Sequence, residues 1–333
     1  MNRTLICSAM ALAFLGAANF AHAQGKQHTI TTVVKITGIA WFDRMEAGVK
    51  EFGEKNPGVK TSQTGPGQAD AAQQLRVIED LIAKKVGALA IVPIDPAALE
   101  PVLKKAISRG IKVVTHEADN QKNTLVDVEA FENAAYGARI NDRLADCMKQ
   151  EGKWTSFVGS LGMQSHVQWA EGGAANASKK YPKMTLVDAK TESNNDATKA
   201  YEKAKELLRK HPDLKGFQGG SSVDVLGIGR ALEENGLQGK VCVFGTGLPS
   251  ETSKYLESGA ITGIAFWDPK DAGLAMNKVA QLLLDGKTVT DGMDLGVPGY
   301  NKVKVTKGSG NGLIVKGQAW VDADKANYKQ YPF

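Results

Sequence analysis

From residue 29 onward, short apolar runs alternate with longer amphipathic stretches, and Gly or Asp marks most of the junctions. Such a rhythm predicts strands feeding helices in parallel α/β layers. The first series reads as strands at 29–36, 58–63, 87–93 and 111–115, with helices at 42–55, 69–84 and 96–109 between them. Leu75, Ile78, Leu81 and Ile82 fall on one helical stripe, the face that covers a sheet. The run Ala88-Leu89-Ala90-Ile91-Val92 is apolar on both faces, as a central parallel strand between helices must be. Asp95 followed by Pro96 reads as a helix start, and Gly110 as a helix end.

After Asp119 the rhythm restarts, with helices at 131–151, 165–180, 196–210, 223–235 and 249–258 and strands at 154–159, 184–190, 215–218, 240–245 and 261–266. One more helix, 269–285, precedes a Gly- and Pro-containing tail with two short strands, 301–306 and 312–316. A chain that completes both series late must cross between them more than once. Crossings are expected near 118–122, 266–269 and 293–299, giving one lobe of 24–119 plus 269–294 and another of 120–268 plus 295–333.

Residues 1–23 read as a secretory signal: Arg3 supplies the charged start, Leu5 to Leu15 the apolar stretch, and Ala21-His22-Ala23 a small-x-small cleavage site. Nothing later approaches the roughly 20 apolar residues that a spanning helix needs. A hydrophobic content of 42% belongs to a folded chain, and a net charge of +5 is too mild to imply a nucleic-acid partner. Of the cysteines beyond the signal, Cys147 falls on a predicted helix and Cys242 on a buried strand. They pair only if those elements abut, and two buried reduced thiols are the expected state. The five histidines show no metal-ligand spacing, so no metal and no cofactor is expected. Gly308 to Gly312 lacks the Lys-Ser/Thr of a phosphate-cradling loop and reads as a hairpin.

Four strings, in their order and spacing, carry a resemblance: Lys35-Ile36-Thr37-Gly38-Ile39-Ala40-Trp41-Phe42, Asn195-Asp196-Ala197-Thr198-Lys199, Phe266-Trp267-Asp268, and Gly312-Leu313-Ile314 through Tyr331-Pro332-Phe333. The chain resembles periplasmic sugar-binding proteins of the ribose-binding class, in the branch that binds autoinducer-2 and rhamnose. The resemblance implies an α/β fold of two Rossmann-like lobes with parallel sheets and three crossings, the ligand held in the cleft as the lobes close. It also implies a membrane permease of an ABC importer as partner.

Ligands of open α/β sheets lie beyond the carboxyl ends of the strands, so the candidates are the residues there. A sugar needs hydrogen-bonding groups beside a flat aromatic wall. Lys35, which the resemblance makes a ligand contact, ends the first strand; Trp41 and Phe42 open the following helix as wall or as core. Glu117 and Asp119 follow the fourth strand as hydroxyl acceptors, Asp119 alternatively as a hinge or turn residue. Gln164 and His166 offer hydrogen bonds at a second-lobe helix start, where Ser165 reads as its cap and Trp169 as core. Asn195 is a candidate donor and Asp196 a cap; Asp224 is either ligand or cap. Asp268, held extended by Pro269, reads as a ligand or hinge carboxylate. In the autoinducer-2 binders Asp stands in place of Glu117, and their Asp-Gln ligand pair falls here on Ser165 and His166. The expected cargo is therefore rhamnose or another deoxy- or pentose sugar, with autoinducer-2 second.

The expectation is a monomeric, non-enzymatic binding protein. A hydrolase using Glu117 and Asp268 lacks a positioned nucleophile. A transcriptional regulator is disfavoured by the signal and by the lack of an N-terminal helix-turn-helix. A sensory protein presenting ligand to a chemoreceptor or sensor kinase stays compatible with the same fold.

Overall fold

A computed structural model describes residues 27–333; the expected signal at 1–23 lies outside them. Strand and helix alternate through β1 (His28–Val33), α1 (Ala40–Lys55), β2 (Val59–Thr64), α2 (Ala71–Ala83), β3 (Ala88–Ile91), α3 (Pro96–Ser108), β4 (Lys112–His116) and β5 (Val126–Glu129). The second series is α4 (Asn133–Met148), β6 (Glu151–Val158), α5 (Gln164–Lys180), β7 (Lys183–Glu192), α6 (Ala197–Lys210), β8 (Leu214–Gly219), α7 (Asp224–Glu234), β9 (Cys242–Thr246), α8 (Pro249–Ser258) and β10 (Gly263–Phe266). The tail adds α9 (Pro269–Leu284), β11 (Lys304–Lys307), β12 (Leu313–Lys316) and β13 (Val321–Asp324).

Two sheets result, seven strands in the order β11-β12-β5-β4-β3-β1-β2 and six in the order β13-β10-β9-β8-β6-β7. All neighbours are parallel except β11 on β12 and β13 on β10, so each sheet carries one antiparallel edge made from the tail. Two helix starts are capped as the sequence predicts, Asp95 accepting from the Ala98 amide and Asp196 from Thr198 and Lys199, and Asp70 caps a third through the Gln73 amide. Buried Ile78, Leu81 and Ile82 face the first sheet. In the second lobe α4 and α5 approach so closely at Gly137 that a β-carbon there would lie 2.0 Å from the Trp169 carbonyl oxygen. Among the described residues no helix is long and apolar enough to cross a membrane.

The lobe boundaries differ from those expected. After β4 the chain stays in the first lobe, because the Glu100 carboxylate accepts from the amides of Lys122 and Asn123 and Gln121 donates to the Pro96 carbonyl. It then adds β5, a strand absent from the sequence reading, so the first crossing falls at 130–132 rather than 118–122. The segment 293–299 stays with the first lobe, as do β11 and β12, and the third crossing falls at 317–320, ahead of β13, the second strand not foreseen. Between these, the chain crosses at Trp267 and Asp268.

The cysteines are also corrected. Cys147 near the end of α4 and Cys242 at the start of β9 form a disulfide, their Cα atoms 6.0 Å apart, because α4 packs across β9.

Candidate functional site

Strand ends and helix starts of both lobes converge on one small cavity. The first lobe contributes Lys35, Ile39, Trp41, Phe42 and Glu117; the second contributes His166, Trp169, Asn195, Gly220 to Ser222 and Thr246; Trp267 comes from the middle crossing. Its volume is about 20 Å³, room for roughly one water molecule, so in this closed arrangement a larger ligand enters only when the lobes part.

At its centre lies a buried ion pair. The Lys35 ammonium donates to Glu117 Oε2 at 2.6 Å, and the side chains are 2% and 5% exposed. Ser165 Oγ donates to the same oxygen at 2.9 Å, so Glu117 of the first lobe is bonded across the cleft to α5 of the second. Gln168 Nε2 makes a second crossing bond to Asp119 at 2.8 Å. Burial is the largest single influence and would raise the Glu117 pKa, but the charge and hydrogen bond of Lys35 together with the facing imidazoles more than offset it and hold the carboxyl well below its usual range. Glu117 also adopts φ 60°, the left-handed region that costs a side-chain-bearing residue energy, and Asn195 adopts φ 53°.

Two imidazoles flank the carboxylate. His166 Nε2 lies 4.0 Å from Glu117 Oε2 and His116 Nε2 lies 3.8 Å from Oε1. Neither is an ion pair: burial pushes the His166 pKa down to about 3 and lowers that of His116 as well. His166 Nδ1 accepts from the Gly159 amide, which places its proton on Nε2, toward the cavity. With one cation, one anion and neutral imidazoles, the cavity carries no net charge.

Its walls are aromatic. Trp41 meets Trp267 edge-on at 4.6 Å between centroids, Trp169 meets Trp267 at 5.7 Å, and His166 stacks on Trp169 at 5.0 Å. Two buried lining atoms have no partner among the described residues, Asn195 Oδ1 and Trp267 Nε1, an acceptor and a donor. Gly220 presents backbone there, since a β-carbon would stand 2.7 Å from the Phe157 carbonyl oxygen.

With this geometry in place, the family can be assigned. A model of the periplasmic binding protein domain matches residues 30–288. The chain belongs to that family. Among relatives, the D-allose-binding periplasmic protein of Escherichia coli K12 is 29% identical over 242 residues, covering 70% of this chain and 76% of that one. The ribose import binding protein of Bacillus subtilis is 24% identical over 264 residues, 79% and 84% of the respective chains. Among solved structures, a solute-binding protein of an ABC transporter from Clostridium phytofermentas, with bound L-rhamnose, superimposes with a TM-score of 0.84 at 23% identity, covering 92% and 98% of the two chains. A protein from Clostridium saccharobutylicum in complex with AI-2 gives 0.84 at 22% identity, covering 92% and 100%. These likenesses establish for this periplasmic binding protein the fold expected, two lobes of mostly parallel sheet.

Six of the ten candidates line the cavity: Lys35, Trp41, Phe42, Glu117, His166 and Asn195. The other four do not. Asp119 is engaged with Gln168, and Gln164 sits in the first turn of α5, outside the lining. Asp224 accepts from the amides of Gly220 and Ser221, so it shapes the turn that lines the cavity from beneath. Asp268 faces away: it caps α9 through the Lys270 amide and holds Arg44 in a bidentate pair at 2.9 and 2.5 Å. Extended backbone sends successive side chains to opposite sides, and at this crossing Trp267, absent from the candidates, is the one turned to the cleft. Ser165 also departs from expectation, since Met163 occupies the cap position of α5 and the Ser165 hydroxyl goes to Glu117. Trp169, read as core, packs into the core and lines the cavity as well.

Behind the site, Asp127 and Glu129 of β5 are both 1% exposed. Thr115 Oγ1 donates to Asp127, while Asp127 Oδ2 and Glu129 Oε1 have no partner among the described residues. Burial pushes the Asp127 carboxyl up to about 6 against the hydrogen bonds that favour its ionised form, and raises Glu129 well above its usual value, where the charges of Asp127, Asp119 and Glu117 add to the shift.

Proposed function

We propose that this protein captures a small neutral sugar between its two lobes and delivers it, closed, to the permease of an ABC importer. The observation that carries this reading is the cavity itself: tryptophan walls, a charge-balanced Lys35–Glu117 pair, and the orphaned Asn195 Oδ1 and Trp267 Nε1. Aromatic faces suit the C–H faces of a pyranose or furanose ring, and the polar groups suit its hydroxyls. A charged ligand would meet a site with no net charge to balance it. Relatives named for allose and ribose, and a structural neighbour holding L-rhamnose, agree with a monosaccharide cargo. We place rhamnose and other deoxy- or pentose sugars first, since the side chain of Glu117 occupies part of the cleft.

Capture works by population shift: ligand bridges the lobes and favours the closed form. Glu117, already bonded to Ser165 of the other lobe, is the residue that couples ligand to closure. The test is a thermal-shift and calorimetric panel of neutral monosaccharides, sugar alcohols, uronic acids, sugar phosphates and autoinducer-2. A cargo at about a hundred times its Kd stabilises the folded state by about 2.7 kcal/mol. A shift with a neutral aldose and none with its uronate or phosphate is the expected pattern. Preference for a charged ligand, or no shift with any neutral sugar, would overturn the assignment; autoinducer-2 alone would replace the cargo and keep the mechanism.

A further inference from the structure

A second cavity of about 350 Å³ opens on the outer side of the hinge, away from the cleft. Two of the three crossings line it, Phe131 and Glu132 from the first and Gly317, Gln318 and Trp320 from the third; Lys302, Lys304, Thr306 and Lys316 close the opposite side. The ladder between β11 and β12 sets Lys304 directly opposite Lys316. Side chains opposite one another in an antiparallel pair share a face, so two ammonium groups stand side by side, an unfavourable placement in the absence of counter-charge. Among the described residues neither they nor Lys302 form an ion pair with a carboxylate. The carboxylate of Glu132, which also lines the cavity, is turned to the Ala135 amide as the cap of α4. Across from the lysines is a flat surface: Trp320 is half-exposed, packs at 5.7 Å on the buried Phe131, and lies under the Arg139 guanidinium at 5.5 Å.

We infer that this cavity is a binding site for a small anion carrying a flat ring, an aryl phosphate or aryl carboxylate, whose anionic head lies between Lys304 and Lys316 and whose ring rests on Trp320. Three ammoniums supply charge-assisted hydrogen bonds to the head, and the indole supplies the stacking surface. Because the cavity is walled by two crossings, its shape changes when the lobes move. An anion that fits one arrangement better shifts the equilibrium between open and closed, and cargo in turn changes affinity for the anion by the same factor. Binding is independent of the sugar assignment, whereas its effect on cargo rests on it.

The competing account is that lysines on the edge strand β11 merely discourage edge-to-edge pairing with another chain. Calorimetric titration of the protein with phenyl phosphate, inorganic phosphate and phenol separates the two. Phenyl phosphate is expected to saturate one site, at least about tenfold tighter than either fragment, as the sum of head and ring contacts requires. The K304Q/K316Q double variant is expected to lose about tenfold or more of that affinity, and Trp320→Leu to lose the advantage of phenyl phosphate over phosphate. Lys60→Gln, on β2 at the far edge of the sheet, serves as a charge control and is expected to bind as the wild type. Lys60 and Lys304 are exposed and Lys316 and Trp320 half-buried, and unchanged melting temperatures verify folding. No saturation by about 10 mM, or equal binding by K304Q/K316Q and wild type, overturns the site. Compaction measured by X-ray scattering with and without phenyl phosphate reads the coupling without any cargo, so a failed sugar assignment and a failed hinge site give different results.

Discussion

Replacing Lys35 by Met tests the electrostatics on which the cleft is built. Lys35 supplies the ammonium bonded to Glu117, and the two residues are 2% and 4% exposed, so the substitution strands a carboxylate without water or counter-ion. Breaking a buried pair from one side costs about 3–5 kcal/mol. With an unfolding entropy of about 2.1 cal/mol/K per residue over a chain of this size, Tm should fall by about 5–8 °C. The pH dependence fixes the cause. In the wild type the Glu117 pKa is depressed by folding, so its contribution is present above its unfolded value and is lost as pH falls through the folded one. In K35M burial, the largest influence, is no longer offset by Lys35 and raises that pKa, so the destabilisation grows as pH rises above about 4.5 and fades below it. Urea denaturation of both proteins at about pH 7.5 and pH 4.5 should therefore show a gap that narrows sharply in acid. Adding Glu117→Gln removes the stranded charge while keeping an acceptor for Ser165, and K35M/E117Q should recover most of the loss. A gap under about 1 kcal/mol at neutral pH, a gap equal at both pH values, or no recovery in the double variant would refute the reasoning.

Four further outcomes follow from the same structure. The Cys147–Cys242 bond closes a loop with a sequence separation of 95, so C147A/C242A should cost about 4–5 kcal/mol in urea denaturation; a loss under about 1 kcal/mol would contradict the bond's stabilising role. Trp267→Leu should weaken cargo binding by about 10- to 100-fold and alter the order of sugar preference, because it removes a cleft wall. Asp268→Asn, which only weakens the clasp on Arg44, should weaken binding while preserving that order, and calorimetry across the sugar panel distinguishes them. Because folding raises the Asp127 and Glu129 pKa values, the folded protein keeps protons that the unfolded chain releases, and stability from this pair is greatest in acid and falls as pH climbs from about 4 through 6 and beyond. Glu129→Gln should flatten that decline and, at pH 8, be at least as stable as the wild type by about 1 kcal/mol or more; an unchanged slope would show that the pair does not carry it.

The strand β5 shows why part of the fold was not legible. Val126-Asp127-Val128-Glu129 alternates apolar and acidic residues, which locally reads as a half-solvated strand or a loop. All four are buried because β12, arriving from almost two hundred residues later, covers that edge. The misplacement of the first and third crossings has the same origin, since each depends on where the tail strands β12 and β13 pair. Cys147 and Cys242 became partners only through the packing of α4 on β9.

Hydrophobic periodicity and the chemistry of helix starts are local properties of the chain, so they alone determined the alternation of strand and helix, the capping by Asp95 and Asp196, the two α/β series, and the strand ends at which Lys35 and Glu117 stand. Which side chains share the cavity is not local. Trp267 rather than Asp268 faces the cleft because of the direction in which one crossing runs, and Ser165 leaves its helix start for Glu117 because a lobe built from distant residues closes over it. The neutrality of the two imidazoles and the survival of paired acids behind the site likewise depend on burial that only the folded lobes impose.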